Sequence, residues 1–596
     1  MIDFINRLLP RPKKVEKLIG PSITIKKNFV LQTEDFDAAE IFNSYLYDCL
    51  GFKLNVLAKA KNANIIFSFD KNKGKEEYSI ETGPVIAVKA GGYRGLLYAG
   101  YTIIQLICLS KNSIPAINIE DKPSIRNRGF YQDVTRGKMH KKEFFKKMID
   151  QCSFARINQM QFYVAHTYTF EGMQQVWFDK SPLTSNDIIE LDAYAYKRGI
   201  ELVPSIATFG HLYEVLRTQK YKDLCERENP DKMEYSFIDR MLMHTLNIFD
   251  NRSFELVKTM IDEYLPLFRS NIFNIGADET FDLCAHKNKN CKDKLGAYKD
   301  FVLKLVNHIK SKGKTVMMWD DIILKTDYIK DLPDDIIYLD WDYSAYPDPS
   351  LREKIAQKPL LGFCCGTNSW NRIIGDFETM FENINNMLNF AIKYKAKYFY
   401  LTNWGDFGDI PMVRLLQICF TYAGVVAWEG KGYDVISDYI KNFGMLFYND
   451  MDVVRCIMPI AKYHIITYKE LIYSLDSKYL VDHSMDKTIV EKSREVAEIN
   501  YCKLNAIEEI LYNKLPFYKD KDIILDLLNI IQGVRCFNKF DLQTYLYNGS
   551  FDELCEWYYD FCKAYRRDNE EGELSRNTEV IRKLMLRFRE SKKTKS

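Results

Sequence analysis

No stretch of the chain reaches the roughly 18 consecutive apolar residues that a membrane-spanning helix needs. The start, MIDFINRLLPRPKKVEKL, has its short apolar patch broken by Asp3 and Arg7 and closed by Pro10 and Pro12. It lacks the apolar core and small-residue cleavage site of an export signal. The 14 cysteines show no framework spacing, and Cys364 and Cys365 are adjacent, so reduced thiols are expected. These readings predict a cytoplasmic protein with no membrane partner. Histidines number only 8. No HExxH or CxxC occurs, and Cys284, His286 and Cys291 match no standard zinc spacing. No P-loop or dinucleotide fingerprint is present. Neither a metal nor a cofactor is expected. A formal net charge of +2 gives no global field for nucleic acid.

What the chain does have is apolar mass and aromatic rings. Hydrophobic residues make up 47% and aromatic residues 14% of 596 residues, enough for several large cores. Residues 1–124 mix strand patterns (23–31, 64–68, 78–82, 85–89) with a helical pattern at 94–109, a small α/β domain. From residue 129 strand and helix alternate. Strands are expected at 129–135, 158–165, 201–207, 271–277, 314–319, 335–340, 360–366 and 397–403. Helices follow them at 140–157, 184–198, 253–268, 298–312, near 328, 351–357, 376–395 and 411–428. Eight such units predict a closed parallel (β/α)8 barrel over 125–430; an open doubly wound sheet is the alternative. Residues 431–596 carry long amphipathic stretches (452–474, 485–513, 551–567) and read as an α-helical domain with a basic, disordered tail at 592–596.

In such a barrel the active site lies where strands end. The first strand ends in GFYQDVTRG, placing Asp133 and Arg136 there, and the second reaches His166. The third is followed by FGH with His211, and the fourth ends in NIGADET with Asp278 and Glu279. The fifth delivers Trp319, Asp320 and Asp321, and the sixth Trp341, Asp342 and Tyr343. The seventh runs towards Asn368 and Trp370, and the eighth ends in LTNWGD with Trp404 and Asp406. Four of the seven tryptophans thus fall at one rim, among carboxylates. Aromatic faces take the apolar face of a pyranose and carboxylates bind its hydroxyls, so the combination points to carbohydrate. A satisfied core position is the alternative for His166 and His211, but their place at the rim favours orienting or touching substrate.

Glycosidic hydrolysis usually employs two carboxyls about 5 Å or more apart. Neighbours at one strand end, such as Asp278 and Glu279, rarely bracket a sugar. They suit the exception in which the substrate's 2-acetamido oxygen attacks and an aspartate holds the acetamido N–H. An ordinary two-carboxylate glycosidase, with Glu279 as acid and Asp406, Asp320 or Asp321 as nucleophile, stays open, as does a non-catalytic sugar-binding barrel.

GxxxDVTRG, FGH, GADE, WDD and TNWGD together resemble glycoside hydrolase family 20, the β-N-acetylhexosaminidases, over roughly residues 10–430. The C-terminal helices resemble those appended in some bacterial members. The resemblance implies exo-acting, retaining, substrate-assisted removal of terminal GlcNAc or GalNAc, with Glu279 as acid/base and Asp278 orienting the acetamido group. It implies that Arg136 grips sugar hydroxyls, Tyr343 bonds the acetamido carbonyl, Trp319, Trp370 and Trp404 wall the subsite, and Asp406 reads outer hydroxyls. Arg136 and Asp406 as a clamp are expected to leave little room beyond O4. The partner is then an oligosaccharide or glycoconjugate ending in β-N-acetylhexosamine; a homodimer is the self-association allowed for. Two departures stand before the acid pair: Asn274 replaces the usual His, and Ala277 the second Gly.

Overall fold

The computed structural model describes residues 3–232, 235–323, 327–475, 487–541 and 546–593. The N-terminal part is a seven-stranded mixed sheet. Its spatial order is Lys14–Lys17, Ile117–Asp121, Tyr78–Glu81, Ile86–Ala90, Ile65–Phe69, Val30–Gln32, Asn55–Leu57. Two helices, Phe36–Leu50 and Tyr93–Ser110, pack on one another and share its core. The strand expected at 23–31 is shorter: a turn in which Phe29 N–H bonds Lys26 O at 3.0 Å interrupts it, leaving a bridge at Ile23 and a strand at Val30–Gln32. Helix Phe36–Leu50 was not anticipated, although both its ends are signalled. Asp35 accepts the N–H of Ala38, and Gly51 takes a left-handed φ of 76° at the C-terminus.

The central part is the expected barrel. Its strands are β1 (Asn127–Asp133), β2 (Gln159–Tyr163), β3 (Glu201–Val203), β4 (Ile272–Asn274), β5 (Thr315–Trp319), β6 (Ile337–Trp341), β7 (Leu361–Gly366) and β8 (Tyr398–Asn403). They run in the order β3-β2-β1-β8-β7-β6-β5-β4, every pair parallel. The ring closes between β3 and β4, where Asn274 N–H donates to Pro204 O at 2.9 Å and Ile206 N–H to Asn274 O at 3.3 Å. The strands are buried along most of their length, as a barrel covered by helices requires. Helix Ser185–Lys197 starts at the expected capping box of Thr184 and Asp187. Between β5 and β6 the described residues form only a 3-10 turn, Asp327–Lys330. The last barrel helix starts at Leu416 rather than near Pro411. It is buried all round, because it lies under further layers; its Trp428 belongs to the N-terminal core and donates to Asp121 at 3.0 Å.

The C-terminal part is helical, from Ile436–Phe443 to Leu574–Lys593, with one short strand pair at Phe540–Asp541 and Leu546–Tyr547. Its apolar side chains merge with the barrel core. The stretch 452–474 forms two helices, Met451–Lys462 and Tyr468–Ser474, because Thr467 and Glu470 make a fresh capping box. Of the helix expected at 485–513, residues 485–486 lie outside the described residues; of the tail expected at 592–596, residues 594–596 do. No described helix is long and apolar enough to cross a membrane, and the 14 cysteines are unpaired.

Candidate active site

The loop after β4 is built to present two carboxylates. Gly276 N–H donates to Asn274 Oδ1 at 2.9 Å, and Asn274 Nδ2 donates to Gln161 Oε1 at 2.9 Å. The asparagine that replaces the expected histidine therefore holds the turn and ties it to β2. Tyr298 donates its hydroxyl to Ala277 O at 2.6 Å, and Glu279 N–H donates to the Asp321 carboxylate at 3.2 Å. Gly276, Ala277 and Glu279 all have left-handed φ (65°, 67° and 46°). This sharp path turns both acids towards His211, whose Nε2 lies 3.5 Å from Asp278 and 3.4 Å from Glu279.

The Nδ1 of His211 lies 2.9 Å from Met241 O and must donate to it. With two carboxylates at Nε2, the ring carries a second proton there. Burial opposes that charge, but the bonds and fields of Asp278 and Glu279 outweigh it and push the imidazole up to about 10. The two acids are thus joined through one imidazolium.

Across the rim, Asp133 at the end of β1 organises the next loop. Its Oδ1 accepts the N–H groups of Thr135 and Arg136. Its Oδ2 accepts Arg136 Nε at 2.7 Å and Gly405 N–H at 2.9 Å. The Arg136 guanidinium lies over the rings of Tyr163 and Trp404, and its Nη1 is 3.6 Å from Asp406. The other oxygen of Asp406 accepts Asn371 Nδ2 at 3.0 Å. Burial, helped by Glu279 and resisted by Arg136, lifts the Asp406 carboxyl above its usual range. His211, Asn368, Asn371 and Asp406 also have left-handed φ. Such conformations cost side-chain-bearing residues on the order of 1 kcal/mol or more and gather at functional sites.

An aromatic wall links these groups. Trp404 donates its indole N–H to the Tyr343 hydroxyl at 2.8 Å; Tyr343 stacks on Trp341 (5.0 Å, 22°) and meets Trp370 edge-on at 5.0 Å. Gly366 at the end of β7 permits this, since a Cβ there would fall 2.5 Å from Trp370 and 2.8 Å from Tyr343. Trp370 and Asp406 also line a pocket of about 430 Å³ shared with Asn368, Lys469 and Tyr473.

The structure thus brings together Asp278, Glu279, His211, Arg136 and Asp406, with Trp404, Tyr343, Trp341 and Trp370 beside them. Three expected substrate contacts stand elsewhere. His166 is buried, its Nε2 taken by Glu573 at 3.0 Å. Trp319 is buried beneath the rim, edge-on to Trp404 at 5.8 Å. Asp320 is 1% exposed and neither oxygen has a hydrogen-bond partner among the described residues; burial first, then Asp340 and Asp321, push its carboxyl well above the usual range. All three side chains are buried and packed against their neighbours, so none is open to a sugar. Sequence reasoning missed Tyr163 at the end of β2, buried under Arg136 with its hydroxyl unpartnered among the described residues. Nothing but its strand-end position signals it. Among the described residues no group of three or more His, Cys, Asp or Glu is arranged to hold a metal ion.

A closed (β/α)8 barrel whose rim gathers acids, an imidazolium, an arginine and a tryptophan wall has the build of a glycoside hydrolase. The family model "Glycosyl hydrolase family 20, catalytic domain" matches residues 126–358, and "Glycosyl hydrolase family 20, domain 2" matches 6–122. Together they span more than half of the chain, which belongs to glycosyl hydrolase family 20. The catalytic match ends before β7 and β8, the strands that lead to Trp370, Trp404 and Asp406. Relatives include a β-hexosaminidase of Vibrio vulnificus (23% identical over 381 residues, 53% of this chain and 44% of that protein) and the human β-hexosaminidase subunit beta (24% over 301 residues, 47% and 52%). The chain spans about half the length of the curated relatives it matches. In fold it is similar to a GH20 exo-β-N-acetylglucosaminidase of Vibrio harveyi (TM-score 0.61, 16% identity, 76% of this chain and 78% of that one). It is also similar to a chitobiase of Flavobacterium johnsoniae (TM-score 0.60, 15% identity, 94% and 98%), a likeness that takes in the C-terminal helices.

Proposed function

We propose that the protein is an exo-acting, retaining β-N-acetylhexosaminidase that removes terminal GlcNAc or GalNAc with the 2-acetamido oxygen as nucleophile. The observation that carries this reading is the place of His211 Nε2, 3.5 Å from Asp278 and 3.4 Å from Glu279. It fixes the two acids side by side, a geometry that cannot bracket a glycosidic bond but suits one carboxylate on the acetamido N–H and one on the glycosidic oxygen. Glu279 protonates the leaving oxygen and then activates water. Asp278 orients the acetamido group. Arg136 and Asp406 hold hydroxyls of the terminal sugar, and Trp404 and Trp370 take its apolar face.

The remaining carboxylates are poorly suited to nucleophilic attack. Asp320 is buried, and burial raises its carboxyl well above the usual range; Asp321 accepts the Glu279 N–H, and Asp406 is held by Arg136 and Asn371. Curated relatives named β-hexosaminidases support the same substrate class.

The test is hydrolysis of chromogenic β-GlcNAc, β-GalNAc, 6-sulfo-β-GlcNAc and β-glucose, followed by a series fluorinated on the N-acetyl group. Cleavage of the acetamido sugars alone, with rates falling as fluorination weakens the carbonyl oxygen, is the expected result. Glu279→Gln should lose about 10²–10⁴-fold on poor leaving groups and less on nitrophenyl ones. A glycosyl-enzyme trapped on Asp406, Asp320 or Asp321 would establish the two-carboxylate mechanism. Internal cleavage of a chitin oligomer would overturn the exo assignment.

A further inference from the structure

The loop that follows β1 and carries Arg136 is held from outside the barrel. Gly137, with φ 99°, has both its amide groups bonded by the C-terminal part, from the helix Phe551–Asp568, the helix Leu574–Lys593 and the turn between them. Its N–H donates to Glu573 Oε2 at 3.1 Å. Its carbonyl accepts the Tyr565 hydroxyl at 3.1 Å and Asn577 Nδ2 at 3.4 Å. The same segment continues the grip along the loop: Glu570 N–H donates to Met139 O at 2.7 Å, Lys141 N–H to Asp568 O at 2.9 Å, and the His140 ring meets Asn569 Oδ1 at 2.6 Å. The loop in turn meets the segment that follows Asp406, because Asp409 N–H donates to Arg136 O at 2.9 Å and Asn577 Nδ2 reaches Asp409 O at 3.4 Å.

Glu573 is the charged member of this contact and is 2% exposed. Its second oxygen takes His166 Nε2 at 3.0 Å. Burial works against its ionisation, but His166, Lys180 and Arg576 outweigh it, so the carboxylate stays charged. A buried ionised acceptor gives a shorter and stronger bond to a backbone N–H than a neutral one. Losing that N–H would leave one oxygen of a buried charge without a donor.

We propose that Glu573 is a positioning residue for the sugar-gripping Arg136, so that the C-terminal helix is part of the specificity machinery and not an appendage. The proposal rests on the role given to Arg136 above. A displacement of about 1 Å in a substrate-holding group can cost on the order of 100-fold in rate. Loss of the Glu573 bond leaves the Gly137 turn held through its carbonyl alone while Asp278, Glu279 and His211 keep their bonds.

The test uses the full chain. Glu573→Ala should lower kcat/KM about 10- to 100-fold per folded molecule and move the GlcNAc to GalNAc preference at least about three-fold. Glu573→Gln, which keeps an acceptor for the Gly137 N–H, should recover most of the loss. In an Arg136→Ala background, Glu573→Ala should add less than about two-fold, the non-additivity of residues acting through one another. A lowered Tm with unchanged kcat/KM and unchanged sugar preference would overturn the proposal, as would full additivity. If Glu573→Ala does not fold, Asn577→Ala should give a smaller shift of preference in the same direction, and no shift counts against the proposal. Hydrogen exchange over residues 136–141 separates this outcome from failure of the enzymatic reading: it should speed up in Glu573→Ala even if the wild-type protein hydrolyses no glycoside, and unchanged exchange overturns the positioning role.

Discussion

His211 aims Nε2 at the Glu279 carboxylate from 3.4 Å while its other nitrogen is fixed on Met241 O. The sign of the resulting pH dependence follows. With its folded-state pKa raised to about 10, against about 6.5 for a free imidazole, the ring contributes stability that is complete below pH 6.5. That stability fades as pH climbs through 10. His211→Gln removes it. The difference in unfolding free energy between wild type and variant should be largest near pH 6, on the order of a few kcal/mol, and should shrink towards pH 10. Thermal or denaturant unfolding across that range measures it, and a difference that grows with pH would contradict the imidazolium.

Asp320 gives the opposite sign. A buried carboxyl held neutral binds its proton more tightly folded than unfolded, so folding loses stability as pH rises above about 3.9, where the unfolded group ionises. Asp320→Asn removes that penalty. The variant should melt higher than wild type at pH 7, with the gain vanishing towards pH 4, and kcat should stay within about three-fold, since an interior neutral group is replaced by its isostere. A nucleophilic Asp320 would instead show a loss of several orders of magnitude on the same substitution.

The barrel was legible because each strand is a short apolar run ending in a polar or aromatic rim residue, with Gly199 and Gly313 closing the preceding helices in left-handed conformations. The acid pair was legible for the same reason: it ends such a run. What sequence could not show is depth and partnership. Trp319 and Asp320 immediately precede Asp321, which meets the Glu279 backbone, yet both are buried. His166 sits at the expected strand end, but its partner Glu573 is 407 residues away, beyond any local pattern.

The exchange of glycine for Ala277 reads as mild in sequence, but its φ of 67° makes it strained. Ala277→Gly should stabilise the protein by about 0.5–1 kcal/mol, the steric relief being partly offset by the greater freedom of glycine in the unfolded chain. Activity should be kept, because Tyr298 still holds the residue 277 carbonyl. A lowered Tm would mean that the alanine methyl group contributes packing that outweighs its backbone strain.

Asp406 allows the sharpest separation of fold from function. Its φ of 39° is tolerated by asparagine better than by alanine, and Asn keeps an oxygen for the Asn371 donor. Asp406→Asn therefore removes the charge facing Arg136 and little else. A hydrogen bond to a charged partner contributes about 1.5–3 kcal/mol, so kcat/KM should fall about 10- to 100-fold, with KM rising and kcat dropping together. The GlcNAc to GalNAc ratio should move as well, because a buried acceptor discriminates the configuration of the hydroxyl it binds. Tm should change little. A large fall in Tm with intact sugar preference would reduce Asp406 to a loop anchor. The pocket that Asp406 lines with Lys469 and Tyr473 adds one contrast: wild type should reject substrates substituted on the hydroxyls that the clamp holds, and ready hydrolysis of them would mean that this pocket extends the sugar site past Asp406.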